Sequence, residues 1–246
     1  MAVLQTLNQE GPMDARTVRD QTEASRSTVK RTLDALSERE WVTQIDGEYQ
    51  ITPTGSVVLD GYLEFETTIQ TATRVAPVFR WLPDFEPSFD LRELADATVV
   101  EPVEGEPYAP SVRQTELMQS VEFFHGLFPS IGVEGTRFVH ERIISGELTA
   151  EIVVSTGVAA TIRKEPYASL FDEQMATGRL TLFVAERVPY YLGIPANGSV
   201  HLGVEDDDGL PRALLETEAT AVRQWAIEQY DAYRERASAL PRDAFG

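Results

Sequence analysis

Ser25, Arg26, Ser27, Thr28, Lys30 and Arg31 place three hydroxyls and three cations within seven residues. Ser25 suits a helix N-cap. At such an end the free backbone N–H groups and the helix dipole already favour phosphate. Val29, Leu33 and Leu36 repeat at helical spacing and mark the inward stripe. Ser27, Thr28 and Arg31 avoid that stripe and can reach a major groove. An arginine can grip guanine O6 and N7 together, worth about 1–3 kcal/mol of discrimination. Arg26 and Lys30 are better placed for phosphate. Gln44 and Tyr49, on the hairpin that follows, complete a candidate DNA-reading set. The competing reading is a solvated helix face in a protein–protein module.

A second group of basic residues, Arg142, Arg163, Lys164 and Arg187, falls near expected strand ends. That is the usual ligand side of an open α/β sheet. It suggests a small anionic metabolite such as a sugar phosphate; ion pairing with neighbouring acids is the alternative. Other motifs are weak. Gly126–Gly135 holds three glycines but no Walker lysine. The acidic run Glu205–Asp208 before Gly209 suits a hairpin tip better than a cation site. His125, His140 and His201 read as packed or surface residues rather than metal ligands. Trp225 and Tyr233 read as core. Cysteine is absent, which excludes disulfides and thiolate chemistry. No nucleophile–base motif stands out, and neither metal nor cofactor is expected.

These residues need elements to hold them. Helices are expected over residues 1–8, 15–21 and 26–40, the last two capped by Asp14 and Ser25. Residues 41–45 and 48–52 flank Asp46-Gly47, a strong hairpin signal. Helices followed by a two-stranded hairpin make a winged helix-turn-helix. Thr52 and Pro53 then open a long helix, 54 to about 76. Its apolar residues Val58, Tyr62, Phe65 and Ile69 follow a heptad-like spacing. They mark either a dimerising seam or packing onto their own domain.

Six prolines between 77 and 110 suggest a joint, interrupted by a short helix near 91–95 and a strand near 98–101. Beyond it, helices are expected over 114–124, 136–144, 157–164 and 167–176. Strands are expected over 151–155, 180–184, 190–194, 200–204 and 210–216, with a closing helix from 217 to about 237. Alternation of this kind argues for a C-terminal α/β domain with a mixed sheet. The expected division is a winged helix-turn-helix at 1–55, a connecting and dimerising helix at 56–76, and an α/β sensing domain at 77–246.

Of 246 residues, 40 are acidic and 21 basic, for a net charge of −19, and only Lys30 and Lys164 are lysine. Acid excess with lysine depletion is the composition of proteins from salt-accumulating microbes. In roughly molar salt the Debye length falls to about 3 Å, so self-repulsion is screened. The first 55 residues carry only −3 of the total. Bulk charge therefore opposes nucleic-acid binding less there than elsewhere. No stretch reaches the roughly 20 apolar residues of a membrane span. A cytoplasmic protein is expected.

The segments SRSTVKRTLDALSEREWV and YQITPTG resemble archaeal winged-helix transcription regulators. The ending RALLETEATAVRQWAIEQYDAYRERA is similar to haloarchaeal regulators carrying the methanogenesis-regulator, FilR-type domain. These are broadly similar to TrmB-like sugar-responsive regulators. Family members usually have roughly another helical turn before MAVLQTL, so either the true start lies upstream of Met1 or the first helix is short. The resemblance implies an N-terminal reader of double-stranded promoter DNA, a connecting helix and an α/β effector domain. A homodimer is expected, because DNA binding in molar salt must draw on two-fold avidity as well as ion pairs. A protein–protein adaptor and an enzyme built on the α/β domain remain the alternatives.

Overall fold

The computed structural model describes residues 1–82 and 87–245. The chain divides into two compact units, Met1–Gln70 and Thr71–Gly246. The expected joint at Pro83 lies outside the described residues.

The first unit contains helices α1 (Ala2–Glu10), α2 (Ala15–Thr22) and α3 (Arg26–Glu38), then the hairpin β1 (Val42–Ile45) and β2 (Glu48–Ile51). Asp14 Oδ1 accepts the Thr17 N–H at 2.7 Å and starts α2. Ser25 Oγ accepts the Thr28 N–H at 3.2 Å and starts α3. The helices close over Leu4, Leu7, Val18, Val29 and Leu33, all nearly inaccessible. The hairpin pairs Val42 with Ile51 and Ile45 with Glu48. Its turn uses positive φ at Asp46 and Gly47, as an Asp-Gly two-residue turn requires.

Helix α4 (Pro53–Phe79) begins in this unit, and its last turns belong to the second. Thr52 Oγ1 accepts the Gly55 N–H at 3.0 Å and donates to the Glu40 carbonyl at 2.6 Å. A Cβ at Gly55 would lie 2.1 Å from the Trp41 carbonyl oxygen, so only glycine lets the helix leave here. The inward residues of α4 are Leu59 and Leu63, with Val75 and Val78 buried in the second unit's core. Pro77 sits inside the helix, so the expected joint starts later than residue 77.

The second unit is built on one eight-stranded sheet. Its strands are β3 (Thr98–Val100), β4 (Phe123–Phe128), β5 (Thr149–Ser155), β6 (Leu180–Ala185), β7 (Tyr191–Pro195), β8 (Val200–Glu205), β9 (Pro211–Thr217) and β10 (Ser238–Ala239). The order across the sheet is β10-β6-β5-β4-β7-β8-β9-β3. Only β4, β5 and β6 run parallel to each other. The helices are α5 (Ala109–Leu117), α6 (Val133–Ile144), α7 (Thr156–Thr161), α8 (Tyr167–Ala176) and α9 (Thr220–Arg236). The mixed α/β class expected from the sequence is the class observed.

Alternate strand residues serve two cores. Val153, Phe183, Leu192 and Leu202 pack with Trp225 and Tyr230 of α9. Ile152, Val154, Leu182 and Tyr191 pack with Ile143 of α6 and Phe171 of α8. Both faces of the sheet are therefore covered.

The chief departure from the sequence reading is β4. The expected helix over 114–124 ends at Leu117, and Phe123–Phe128 is a central strand. Helix α9 covers one of its faces and helices α6 and α8 the other, so Leu127 and Phe124 are both buried. Its apolar residues therefore do not alternate with polar ones, the signal by which half-buried strands are recognised.

Candidate nucleic-acid interface and ligand cavity

Helix α3 turns Val29, Leu33 and Leu36 inward and leaves Ser25, Arg26, Ser27, Thr28, Lys30 and Arg31 exposed. Ser25 Oγ lies 3.0 Å from Ser27 Oγ and 2.8 Å from Thr28 Oγ1, so the three hydroxyls form one cluster at the helix start. Arg26, Lys30 and Arg31 join no ion pair among the described residues. The three cations thus stand on the outer surface of one helix, available to a polyanion. Gln44 is exposed on the hairpin and ties its turn by donating to the Gly47 carbonyl at 3.2 Å. Tyr49 is placed differently. It is half-buried against the first unit's core, and its backbone exchanges two hydrogen bonds with Met13. The hairpin thus offers Gln44 alone of the two expected reading residues.

On α4, Tyr62, Phe65 and Ile69 are exposed at 36%, 61% and 49%, while Val58 is half-buried. The residues that pack onto their own unit lie in the neighbouring register, Leu59 and Leu63. The expected seam is therefore an outward apolar stripe.

The four basic residues expected to share an effector site are not gathered. Arg142 ends α6, ahead of β5, on the amino side of the parallel strands. Its guanidinium donates to the carbonyls of Met118 and Val121, the latter at 2.9 Å, and pairs with Glu147 at 3.3 Å. It is a tether for the α5–β4 connection, not a free ligand group. Arg187 follows β6 on the opposite, carboxyl side. Arg163 and Lys164 lie beyond the end of α7.

A cavity of about 580 Å³ opens instead over the sheet face that carries α5, α6 and α8. Glycines make room for it. Gly126 of β4 pairs directly with Gly193 of β7, and Gly203 of β8 stands opposite Tyr191. The rings of Phe124, Phe128 and Tyr191 lie against these glycines, with Phe128 and Tyr191 edge-to-face at 5.2 Å. Phe138, Ile152, Val154, Phe171 and Leu182 continue the apolar wall, and neither arginine nor lysine lines it. The Tyr191 hydroxyl and Gln174 Nε2 are buried there without a well-formed hydrogen bond among the described residues. Leaving such a group unmatched costs about 1–3 kcal/mol. Burial pushes the Tyr191 phenol far above its usual range, opposed in part by the Gln114 side chain. Glu205 also lines the cavity. Burial raises its carboxyl above the usual range, and the Ser130 hydroxyl donates to it at 2.5 Å. Glycines at the centres of FFHGLF, YYLGIP and VHLGVE are the signal that could have located this floor, since strand glycines often mark a close approach.

The histidines occupy separate settings. His125 stacks on Tyr230 at 4.6 Å, and His140 Nε2 lies 2.8 Å from Glu173. His201 is buried beside Ser199, whose hydroxyl donates to Glu216 at 3.2 Å. Glu216 is held by Arg113 at 2.9 Å. With the Ser199 proton given to Glu216, the His201 Nε2–H donates to Ser199 Oγ at 3.2 Å, and Nδ1 has no partner among the described residues. The carboxylate therefore orients the serine rather than the imidazole, the reverse of a nucleophile–base relay. Desolvation lowers His201 to about 4. At the expected acidic hairpin tip, Asp206 Oδ1 accepts from the Asp208 and Leu210 N–H groups at 3.0 Å. Trp225 is buried. No group of three or more potential metal ligands occurs among the described residues, and none of their helices is long and apolar enough to cross a membrane.

The fold is that of a winged helix, three helices and a two-stranded hairpin, followed by a long helix and a mixed α/β domain. Family models agree. The HVO_A0261 N-terminal domain matches residues 1–74, and the middle domain of methanogenesis regulatory protein FilR1 matches residues 107–236. The chain belongs to the family of winged-helix regulators carrying the FilR1 middle domain. No curated protein matches. Among solved structures, the archaeal chromatin protein TrmBL2 is similar over 97% of this chain and 92% of its own, at 13% identity and a TM-score of 0.46. Nuc of Salmonella typhimurium, a phospholipase D family member, is similar over 58% of this chain and 98% of its own, at 9% identity and a TM-score of 0.46. NucT of Helicobacter pylori covers the same shares, at 12% identity and a TM-score of 0.43.

Proposed function

We propose that the protein is a cytoplasmic, sequence-specific DNA-binding transcription regulator that works as a homodimer and carries no enzymatic activity. Residues 1–55 read promoter DNA, 56–76 connect and dimerise, and 77–246 sense a small molecule. One observation supports this most: α3 buries Val29, Leu33 and Leu36 while Arg26, Lys30 and Arg31 stand exposed and unpaired beside the Ser25 cap. Arg31 faces base edges. Arg26, Lys30 and the helix N-terminus take phosphate. Two such heads, joined through the Tyr62, Phe65 and Ile69 stripe, supply the avidity that binding in strong salt needs.

The test is fluorescence anisotropy with the protein's own upstream DNA in near-molar KCl, against a scrambled duplex. Saturable binding that prefers the promoter and weakens in Arg31→Ala is the expected result. Equal affinity for both duplexes sinks the reading and favours the adaptor.

A further inference from the structure

We infer that the cavity lined by Phe128, Tyr191 and Gly203 is the sensing site, and that its ligand is uncharged: an apolar or aromatic body with a carbonyl or hydroxyl group. The inference deepens the regulator reading by assigning the sensing site and ligand class, and replaces the anionic metabolite that four scattered basic residues suggested.

Four observations carry it. The volume, about 580 Å³, lies within the roughly 300–1,000 Å³ of small-molecule sites. The lining is aliphatic and aromatic, from Phe128, Phe138, Ile152 and Val154 to Phe171 and Leu182. Gly126 and Gly193 let the Phe124, Phe128 and Tyr191 rings lie down against the strands, and Phe128, Tyr191 and Gly203 line the cavity. Finally, its wall holds a buried donor that the described residues leave unmatched, Gln174 Nε2. A carbonyl or hydroxyl oxygen on a ligand supplies the acceptor that Gln174 Nε2 lacks.

Charge selects further. The ionisable carboxyl side chains of the lining are Glu134, which pairs with Arg137 at 3.2 Å, and Glu205, which has no cation partner within the lining. An anion entering here loses its hydration and meets the Glu205 carboxyl with no cation in the lining to offset it. A neutral molecule loses little, and its oxygen is matched by Gln174.

The full chain is titrated, without DNA, with the neutral dye Nile red. Dodecanol and dodecanoate then compete for the dye. Saturable dye uptake, with dodecanol displacing it at a concentration at least about tenfold below dodecanoate, is the expected result. Gln174→Leu raises the dodecanol concentration needed several-fold. Val139→Trp, which fills the cavity from α6, abolishes uptake while leaving the circular dichroism and melting profile near those of the parent. Dodecanoate competing as well as dodecanol overturns the inference. So does a folded Val139→Trp protein that takes up dye normally, because the dye then sits elsewhere. Failure here leaves promoter binding intact, and loss of promoter binding leaves dye uptake intact, so the two readings fail separately.

Discussion

Gly126 and Gly193 face each other across the antiparallel pairing of β4 and β7, at the centre of the second unit's sheet. A Cβ on Gly126 would come within 2.6 Å of both the Phe124 and Phe128 rings, and one on Gly193 within 2.5 Å of the Tyr191 hydroxyl. The missing side chains are what allow these rings to lie down against the strands.

Gly193→Ala therefore forces Tyr191 to move. The cost is about 1–3 kcal/mol, the range for overpacking a filled core. Urea unfolding reads it as a lower midpoint at unchanged slope. An unaltered midpoint would show that Tyr191 has room to spare.

Arg142 gives a prediction that separates tether from ligand group. Arg142→Ala strips the Met118 and Val121 carbonyls of their donor. Stability falls by about 1–3 kcal/mol. Arg142→Lys restores only part of it, since an ammonium cannot reproduce the planar fork. A variant with parental stability and altered effector response would return Arg142 to the sensing site.

The reading helix has two kinds of cation, distinguishable by salt. Lys30→Ala weakens binding to every duplex and lowers the slope of log affinity against log salt by about 0.9. Arg31→Ala costs about 1–3 kcal/mol on the cognate site and far less on scrambled DNA. Anisotropy at several KCl concentrations distinguishes them. Identical behaviour of the two variants would contradict the division of labour.

Folded His201 takes its proton only near pH 4, well below its ordinary 6.5, because it is buried. Between those values the unfolded chain binds a proton that the folded chain refuses. The His201 contribution is intact above about pH 6.5 and is lost as pH falls toward 4, by up to about 3 kcal/mol. Urea midpoints across this range, compared with His201→Gln, isolate it from the carboxylates. Parallel pH curves for the two proteins would refute the assignment.

The outward stripe on α4 is tested by charge. Phe65→Glu places a carboxylate on a residue that is 61% exposed, so the fold of a single chain should stand. Analytical ultracentrifugation is expected to show dimer in the parent and monomer in the variant. A parent that sediments as monomer rejects the stripe as an interface.

Local rules made the first unit legible. Asp14 and Ser25 announce helix starts, Asp46-Gly47 announces a turn, and Val29, Leu33 and Leu36 announce a buried stripe, all within a few residues. The cavity was not legible in the same way. Its walls come from α5, α6, α8 and six strands distant in sequence. Strand β4 escaped because both its faces are covered. The basic residues misled because closeness to a strand end says nothing about which end: Arg142 and Arg187 lie on opposite sides of the parallel strands. Tyr49 looked like a wing contact by position, yet its ring serves the core.

The outermost strands of the large sheet are its shortest, three residues in β3 and two in β10. A border that brief presents too few free amide and carbonyl groups for a stray chain to continue the ladder. At β3 and β10 a neighbouring molecule thus finds only a two- or three-residue template for strand-by-strand growth. Loss of the α4 stripe should release well-behaved single molecules rather than seed fibrils.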